Sequence, residues 1–250
     1  MKKLITLILL ISIVFISCEK EEPKKNNDSV LTKANVSGEV SLFDEFGQPV
    51  SDERMMIYME NTSETFWTET QKDGSFLVLN VIYFNNYRII YEKDGFGTYK
   101  RFGFEHEYTG AEGSISPVNL SKKSTAYCNS LIVTQSNDTT HFQLMLAGGS
   151  DAGKRKVRLL FHHIPQISNE VYSHNTVKFT ANNPEPTISL SKEYLLEEVG
   201  LRSGETYYVQ AYGDSFYSNA YFDEDLQKSV LPNLGINDDV AVPTATFIMP

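Results

Sequence analysis

Short stretches in which apolar and polar residues alternate, each closed by Gly, Asp, Asn or Pro, recur from residue 34 to residue 184. Alternation with period two puts one set of side chains on one face of an extended strand, and turn residues at this spacing fold the strands back antiparallel. Val36-Ser37-Gly38-Glu39-Val40-Ser41-Leu42 alternates over its whole length, and strands are expected next at 55–60, 65–70, 77–79 and 87–92. A second series is expected at 126–135, 141–147, 157–163, 176–181 and 241–249. Gly148-Gly149 and Asn182-Asn183-Pro184 read as turns. One or two helical turns are expected over 191–199, with Ser191 as N-cap and Tyr194 or Leu195 facing inward. With 15 Phe and 14 Tyr to fill strands, the expected fold class is all-β, as two tandem antiparallel sandwiches.

The first 17 residues are of another kind. Met1-Lys2-Lys3 leads into an apolar run from Leu4 to Ile16 broken only by Thr6 and Ser12, the pattern of a secretory signal. The run falls short of the roughly 20 residues that a helix needs to cross a bilayer. It ends Phe15-Ile16-Ser17-Cys18, which resembles the lipobox of bacterial lipoproteins, with Phe15 where Leu is usual. The resemblance implies cleavage of residues 1–17, a diacylglycerol group on Cys18 and acylation of the freed amine, enough chains for stable membrane anchoring. Residues 18–33 are polar and charged and are expected to be a flexible tether. Within them, Glu19-Lys20-Glu21-Glu22 resembles the export signal of surface lipoproteins of Bacteroidota. That implies an outer-membrane, surface-facing location, with a periplasm-facing one as the alternative.

The formal charge is −10, and loss of Lys2 and Lys3 with the signal makes the remainder more acidic. This excludes nucleic acid, which needs a clustered basic surface. Lys154-Arg155-Lys156 and Arg158 form the one basic cluster, expected as a solvated loop entering a strand. With Cys18 lipidated, Cys128 has no partner for a disulfide within the chain, and its alternating surroundings make it a buried small hydrophobe.

Gly38-x-Val40, Asp44-x-x-Gly47-x-Pro49-Val50, Asp73-Gly74-x-Phe76, and Tyr87 ahead of Asp94-Gly95-Phe96 resemble the carboxypeptidase regulatory-like domain in order and spacing over residues 36–104. The resemblance implies a seven-stranded, transthyretin-like sandwich without catalytic residues, within a unit spanning 34–120. Asn85-Asn86 stands where that family has a Pro-Gly-type turn. Further on, the segment from Gly200 to Tyr212 resembles the corner between the fifth and sixth strands of a fibronectin type III domain. There Leu201 would plug the core and the Tyr207 hydroxyl would satisfy nearby backbone. The implied second unit, 121–250, is immunoglobulin-like, with 223–239 as a long insertion in its last hairpin.

Chemistry is sparse. His106, His141, His162, His163 and His174 show no metal-binding spacing, and His162 and His163 would point to opposite faces of a strand. Gly-x-Ser-x-Gly and Gly-rich phosphate loops are absent. Neither catalytic residues nor a cofactor are expected. Asp223, Asp225, Asp238 and Asp239 offer oxygen ligands for calcium, at a spacing that matches no known calcium loop. Phe216, Tyr217, Tyr221 and Phe222, flanked by Asn and Asp, are the candidate ligand contacts if exposed and coplanar, and core-closing rings if buried. The expected function is a non-catalytic cell-envelope lipoprotein whose sandwiches act as a binding or spacing module for a glycan, a protein or a host surface. The alternative is a structural accessory lipoprotein of an outer-membrane uptake or pilus-like assembly.

Overall fold

The computed structural model describes residues 32–108, 112–149 and 154–250; the signal peptide, Cys18 and all but the last two residues of the tether lie outside them. The fold is all-β. The alternating segment forms β1 (Lys33–Phe43), with Val36, Val40 and Leu42 buried. β2 (Met56–Glu60), β3 (Thr65–Glu69), β4 (Ser75–Ile82), β5 (Phe84–Glu92), β6 (Tyr99–His106), β7 (Gly113–Ser114) and β8 (Val118–Ser121) follow. β1 pairs antiparallel with β4 and parallel with β7 and then β8. The facing sheet runs β3-β2-β5-β6. Val36, Val40 and Phe76 of the first sheet share one core with Ile57, Met59, Tyr87 and Ile89 of the second.

Asn85-Asn86 does not form the expected turn. The pair lies inside β5, and the pairing with β6 slips between Phe84 and Tyr87. The run from Phe84 to Glu92 pairs with strands on both sides, so the extra residue is absorbed as a bulge. The chain crosses from one sheet to the other just before it, at Tyr83.

A second core belongs to β9 (Tyr127–Ser136), β10 (Thr139–Ala147), β11 (Arg155–His162), β12 (His174–Asn175), β13 (Phe179–Ala181), β14 (Thr187–Ser191), the short helix α1 (Lys192–Glu197), β15 (Thr206–Asp214) and β18 (Thr244–Ile248). β16 (Tyr221–Asp223) and β17 (Lys228–Val230) form a separate hairpin between β15 and β18. β9-β10-β14 makes one layer, and β11, flanked by β12 and β13, makes the other with β15 and β18. A single pairing, Tyr212 with Tyr127, joins the layers at one edge. Phe142 of one layer meets Phe161 and Phe247 of the other, ring edge to ring face. Ser191 Oγ accepts the Tyr194 N–H at 3.1 Å, which starts α1 and turns Leu195 into the core. Leu201 is buried, and the Tyr207 hydroxyl accepts the Arg202 N–H at 3.1 Å and donates to Glu205 Oε2 at 2.9 Å.

The stretch between β15 and β18 is no simple loop. After its hairpin it lays Leu231 and Leu234 against Leu160 and Tyr212, on the outer side of β11 and β15. Those two strands are therefore buried on both faces, which accounts for their near-continuous apolar runs. The same cover corrects the reading of the basic cluster. Arg158 is not in a solvated loop: its side chain is 11% exposed, with Nε 2.8 Å from Asp214 Oδ2 and one terminal nitrogen donating to Asn175 Oδ1 and Thr176 O. A guanidinium under a covering segment must have such partners to remain charged.

Candidate functional site

Three aromatic residues between β15 and β18, Phe216, Tyr217 and Tyr221, build a joint between the two sandwiches. Tyr217 packs between Phe43 of β1 and Phe216, each at 4.9 Å, and its plane is at 88° to that of Phe216. Phe216 lies over Gly47, where a Cβ would sit 2.6 Å from the ring, and its N–H donates to Glu45 O. Tyr221 stands edge-on to Tyr99 of β6 at 88°, and burial pushes its phenol up to about 12. Phe222, on the other side of the same strand, is exposed. Rings set at right angles make a wedge, so these four do not present one coplanar platform.

Buried amides hold the wedge in place. Asn233, fully buried, accepts the Gly97 N–H at 3.0 Å and donates to Ser121 O and Tyr217 O, both at 2.9 Å. Asn219 accepts the Ser121 N–H and donates to Ser121 O, while Ser121 Oγ accepts the Tyr217 N–H. Gly97 must be glycine here: a Cβ would lie 2.4 Å from Pro232 O. On the other flank, Glu45 accepts the Thr125 N–H at 2.7 Å and the Thr125 hydroxyl at 2.5 Å. A polar network in which each member is satisfied selects one geometry over its neighbours.

The acidic candidates also divide. Asp223 is buried beside Lys100 of β6, Oδ2 to Nζ 3.0 Å, and accepts the N–H groups of Asp225 and Leu226. Burial pushes its carboxyl up, but these hydrogen bonds outweigh it and hold the group below the usual carboxylate range. Asp225 pairs with Arg88 at 2.7 Å. Asp238 and Asp239 sit in a different, exposed turn, where Asn237 Oδ1 accepts the Asp239 N–H. Among the described residues no group of three or more His, Cys, Asp or Glu is placed to hold a metal ion. The Cys128 Sγ donates to Ser130 O at 3.0 Å, and burial pushes its thiol up to about 11, away from nucleophilic character.

Another surface came from no sequence motif. On the outer face of β3-β2-β5-β6, Trp67 pairs across to Tyr58, Tyr58 to Ile90 and Ile90 to Lys100. Ile57 and Met59 point into the core, so Tyr58 and its partners point out. Trp67 is the chain's one tryptophan and is 63% exposed. The adjacent row runs Thr65, Glu60, Arg88. A bulge at Phe102-Gly103, with Gly103 at φ +71°, turns Phe102 under Arg88, whose guanidinium carbon is 6.0 Å from the ring centre. Arg88 reaches Glu60 Oε2 with two nitrogens, at 3.2 and 2.8 Å, and Asp225 Oδ2 with the third. Where the β16–β17 hairpin rises over this end of the sheet, a cleft of about 290 Å³ opens between Glu60, Asn86, Arg88, Phe102 and Glu224. It takes residues from both sandwiches.

No known protein family matches the chain, and neither does any curated protein. Among solved structures, it is similar to a candidate carbohydrate-binding protein from Bacteroides uniformis, at 16% identity and a TM-score of 0.31, over 86% of this chain and 98% of that one. It is also similar to a DUF3823 family protein from Parabacteroides merdae, at 12% identity and a TM-score of 0.29, over 81% and 97%. A DUF3823 family protein from Bacteroides ovatus gives 9% identity and a TM-score of 0.28, over 81% and 96%. At these scores neither fold nor function is carried across.

Proposed function

We propose that the chain is a non-catalytic lipoprotein of the cell envelope, anchored through Cys18 at the outer membrane, whose two sandwiches act together as a rigid binding module. The module holds a contact surface for a glycan, a protein or a host surface at a set distance from the lipid. The joint is the observation that carries this reading. The segment between β15 and β18 could have been a mobile ligand loop; instead Tyr217, Tyr221, Asn219 and Asn233 bind one sandwich to the other. A body without a hinge transmits position, which is what a presenting module needs. The buried Leu201 and the Tyr207 hydrogen bonds support a fibronectin-like second sandwich. The β1–β8 arrangement supports a transthyretin-like first one.

The test is photo-crosslinking on native envelopes that carry the full chain, with a benzophenone side chain at position 67 in one strain and at position 132 in another. Ile132 and Met145 are exposed on the outer face of β9 and β10, and contacts there favour the assembly-accessory alternative. A binding module with its contact surface on the first sandwich gives adducts from 67. Adducts from 132 alone favour the accessory role, and none from either position contradicts both.

A further inference from the structure

We infer that the outer face of β3-β2-β5-β6 is the binding site for an uncharged glycan chain laid across the strands, from Trp67 to the cleft beneath the β16–β17 hairpin. The inference rests on the binding-module reading and names the ligand class.

Two rows of side chains carry it. Trp67, Tyr58 and Ile90 are successive cross-strand partners on one face, and so form an apolar row. Beside it, Thr65, Glu60 and Arg88 form a polar row that ends on the Phe102 ring. A pyranose has the matching character, with C–H faces that lie on rings and aliphatic side chains and hydroxyls at its rim. Strands spaced about 4.8 Å apart set the four-strand row at about 14 Å, room for a short oligosaccharide.

The fold does not account for Trp67. β3 is an edge strand whose Phe66 already packs on the core, yet the one tryptophan stands outward in water. A large exposed ring within an apolar row is the kind of surface that marks a contact site.

Charge selects against acidic ligands. Lys100 is paired with Asp223, and Arg88 is shared by Glu60 and Asp225. Glu224 lines the cleft with no ion-pair partner among the described residues, so at this end of the face Glu60, Asp223, Glu224 and Asp225 outnumber Arg88 and Lys100. The surplus is negative, so a uronate or a sulfated chain is repelled, whereas hydroxyls can donate to the carboxylates. Glu60 Oε1 and Asp225 Oδ1 have no hydrogen-bond partner among the described residues. Arg88 is held between two carboxylates and a ring before any ligand arrives, so little ordering cost remains on binding. A protein partner would favour an enclosed apolar pocket for an anchor residue; here the face is open and its apolar row is flanked by fixed charges.

Trp67 makes the test direct, because all tryptophan emission comes from it. The full chain is titrated with hexasaccharides of glucose, mannose and xylose, and with a galacturonic acid hexasaccharide as the anionic counterpart. The expected result is a saturable shift in Trp67 emission with at least one neutral chain and none with the galacturonate. By calorimetry, Trp67→Ala and Phe102→Ala each weaken that binding by about tenfold or more, while Ile132→Ala on the second sandwich leaves it unchanged. Trp67 is exposed, so its removal leaves the fold intact, which an unchanged Tm verifies. A response to galacturonate alone, to none of the four, or one that survives in both face variants overturns the glycan assignment. Protein adducts from position 67 would then leave the binding-module reading standing, and the absence of any adduct would remove that too.

Discussion

Replacing Asn233 with Ala tests whether the joint is held as described. The side chain is fully buried and makes four hydrogen bonds, with Gly97 N–H, Asn219 Nδ2, Ser121 O and Tyr217 O. Ser121 O and Asn219 Nδ2 still have each other at 2.9 Å after the change. Gly97 N–H and Tyr217 O lose the partner shown for them. An orphaned buried polar group costs about 1–3 kcal/mol, and Tyr217 O is only partly buried, so the sum is about 2–4 kcal/mol. A water entering the vacated space would recover some of it. For a body of this length each kcal/mol moves the midpoint by about 2–4 °C, which puts the fall at about 4–16 °C by calorimetry. Asn233→Asp keeps the shape but sets a carboxylate against two carbonyls. Burial and those acceptors favour its protonated form in the folded state. Its deficit therefore grows as pH rises through about 4, where the unfolded chain ionises, and shrinks below that. A midpoint within about 1 °C of wild type for Asn233→Ala would refute the assignment of the joint to this amide.

Three further outcomes follow from single groups. The Asp223 carboxyl lies below its ordinary value in the folded protein, so its pairing contributes fully above about pH 4 and is lost as pH falls through the depressed value. The midpoint difference between wild type and Asp223→Asn should be constant from pH 7 to 5 and narrow progressively as pH falls below about 4; a gap that does not narrow as the pH is lowered from 5 to 3 contradicts the pairing. Cys128, with its thiol raised to about 11, should react with iodoacetamide at pH 8 about a hundredfold more slowly folded than in denaturant, as read by mass spectrometry. Tyr207→Phe removes the acceptor for Arg202 N–H and should cost about 1–2 kcal/mol in urea unfolding; no loss would mean that the corner is held by packing alone.

Much of the framework was legible in the sequence, because its cause is local. The alternation from Val36 to Leu42 needs only period two, and the Ser191 cap needs only a hydroxyl three residues ahead of an N–H. β6 lacked such a signal because the Phe102-Gly103 bulge breaks its period. In Phe66-Trp67 the two rings must face opposite ways, but period alone does not say which is outward; the pairing with Tyr58 decides it. The segment between β15 and β18 hid the most. Its rings were visible as a cluster, yet their partners, Phe43, Gly47 and Tyr99, lie more than a hundred residues earlier. Asn233, polar between Leu231 and Leu234, has its partners at Gly97 and Ser121, a pairing that only the tertiary fold supplies.

The central claim, that two sandwiches act as one rigid body, is tested most directly by a spin-label distance measurement on the full chain. Leu79 and Ile132 are exposed on different sandwiches and can be changed to labelled cysteines, while Cys128 stays buried. One narrow distance distribution, unchanged by warming and broadened in Asn233→Ala, is the predicted result. A broad or two-peaked distribution in the otherwise unaltered chain would contradict the claim.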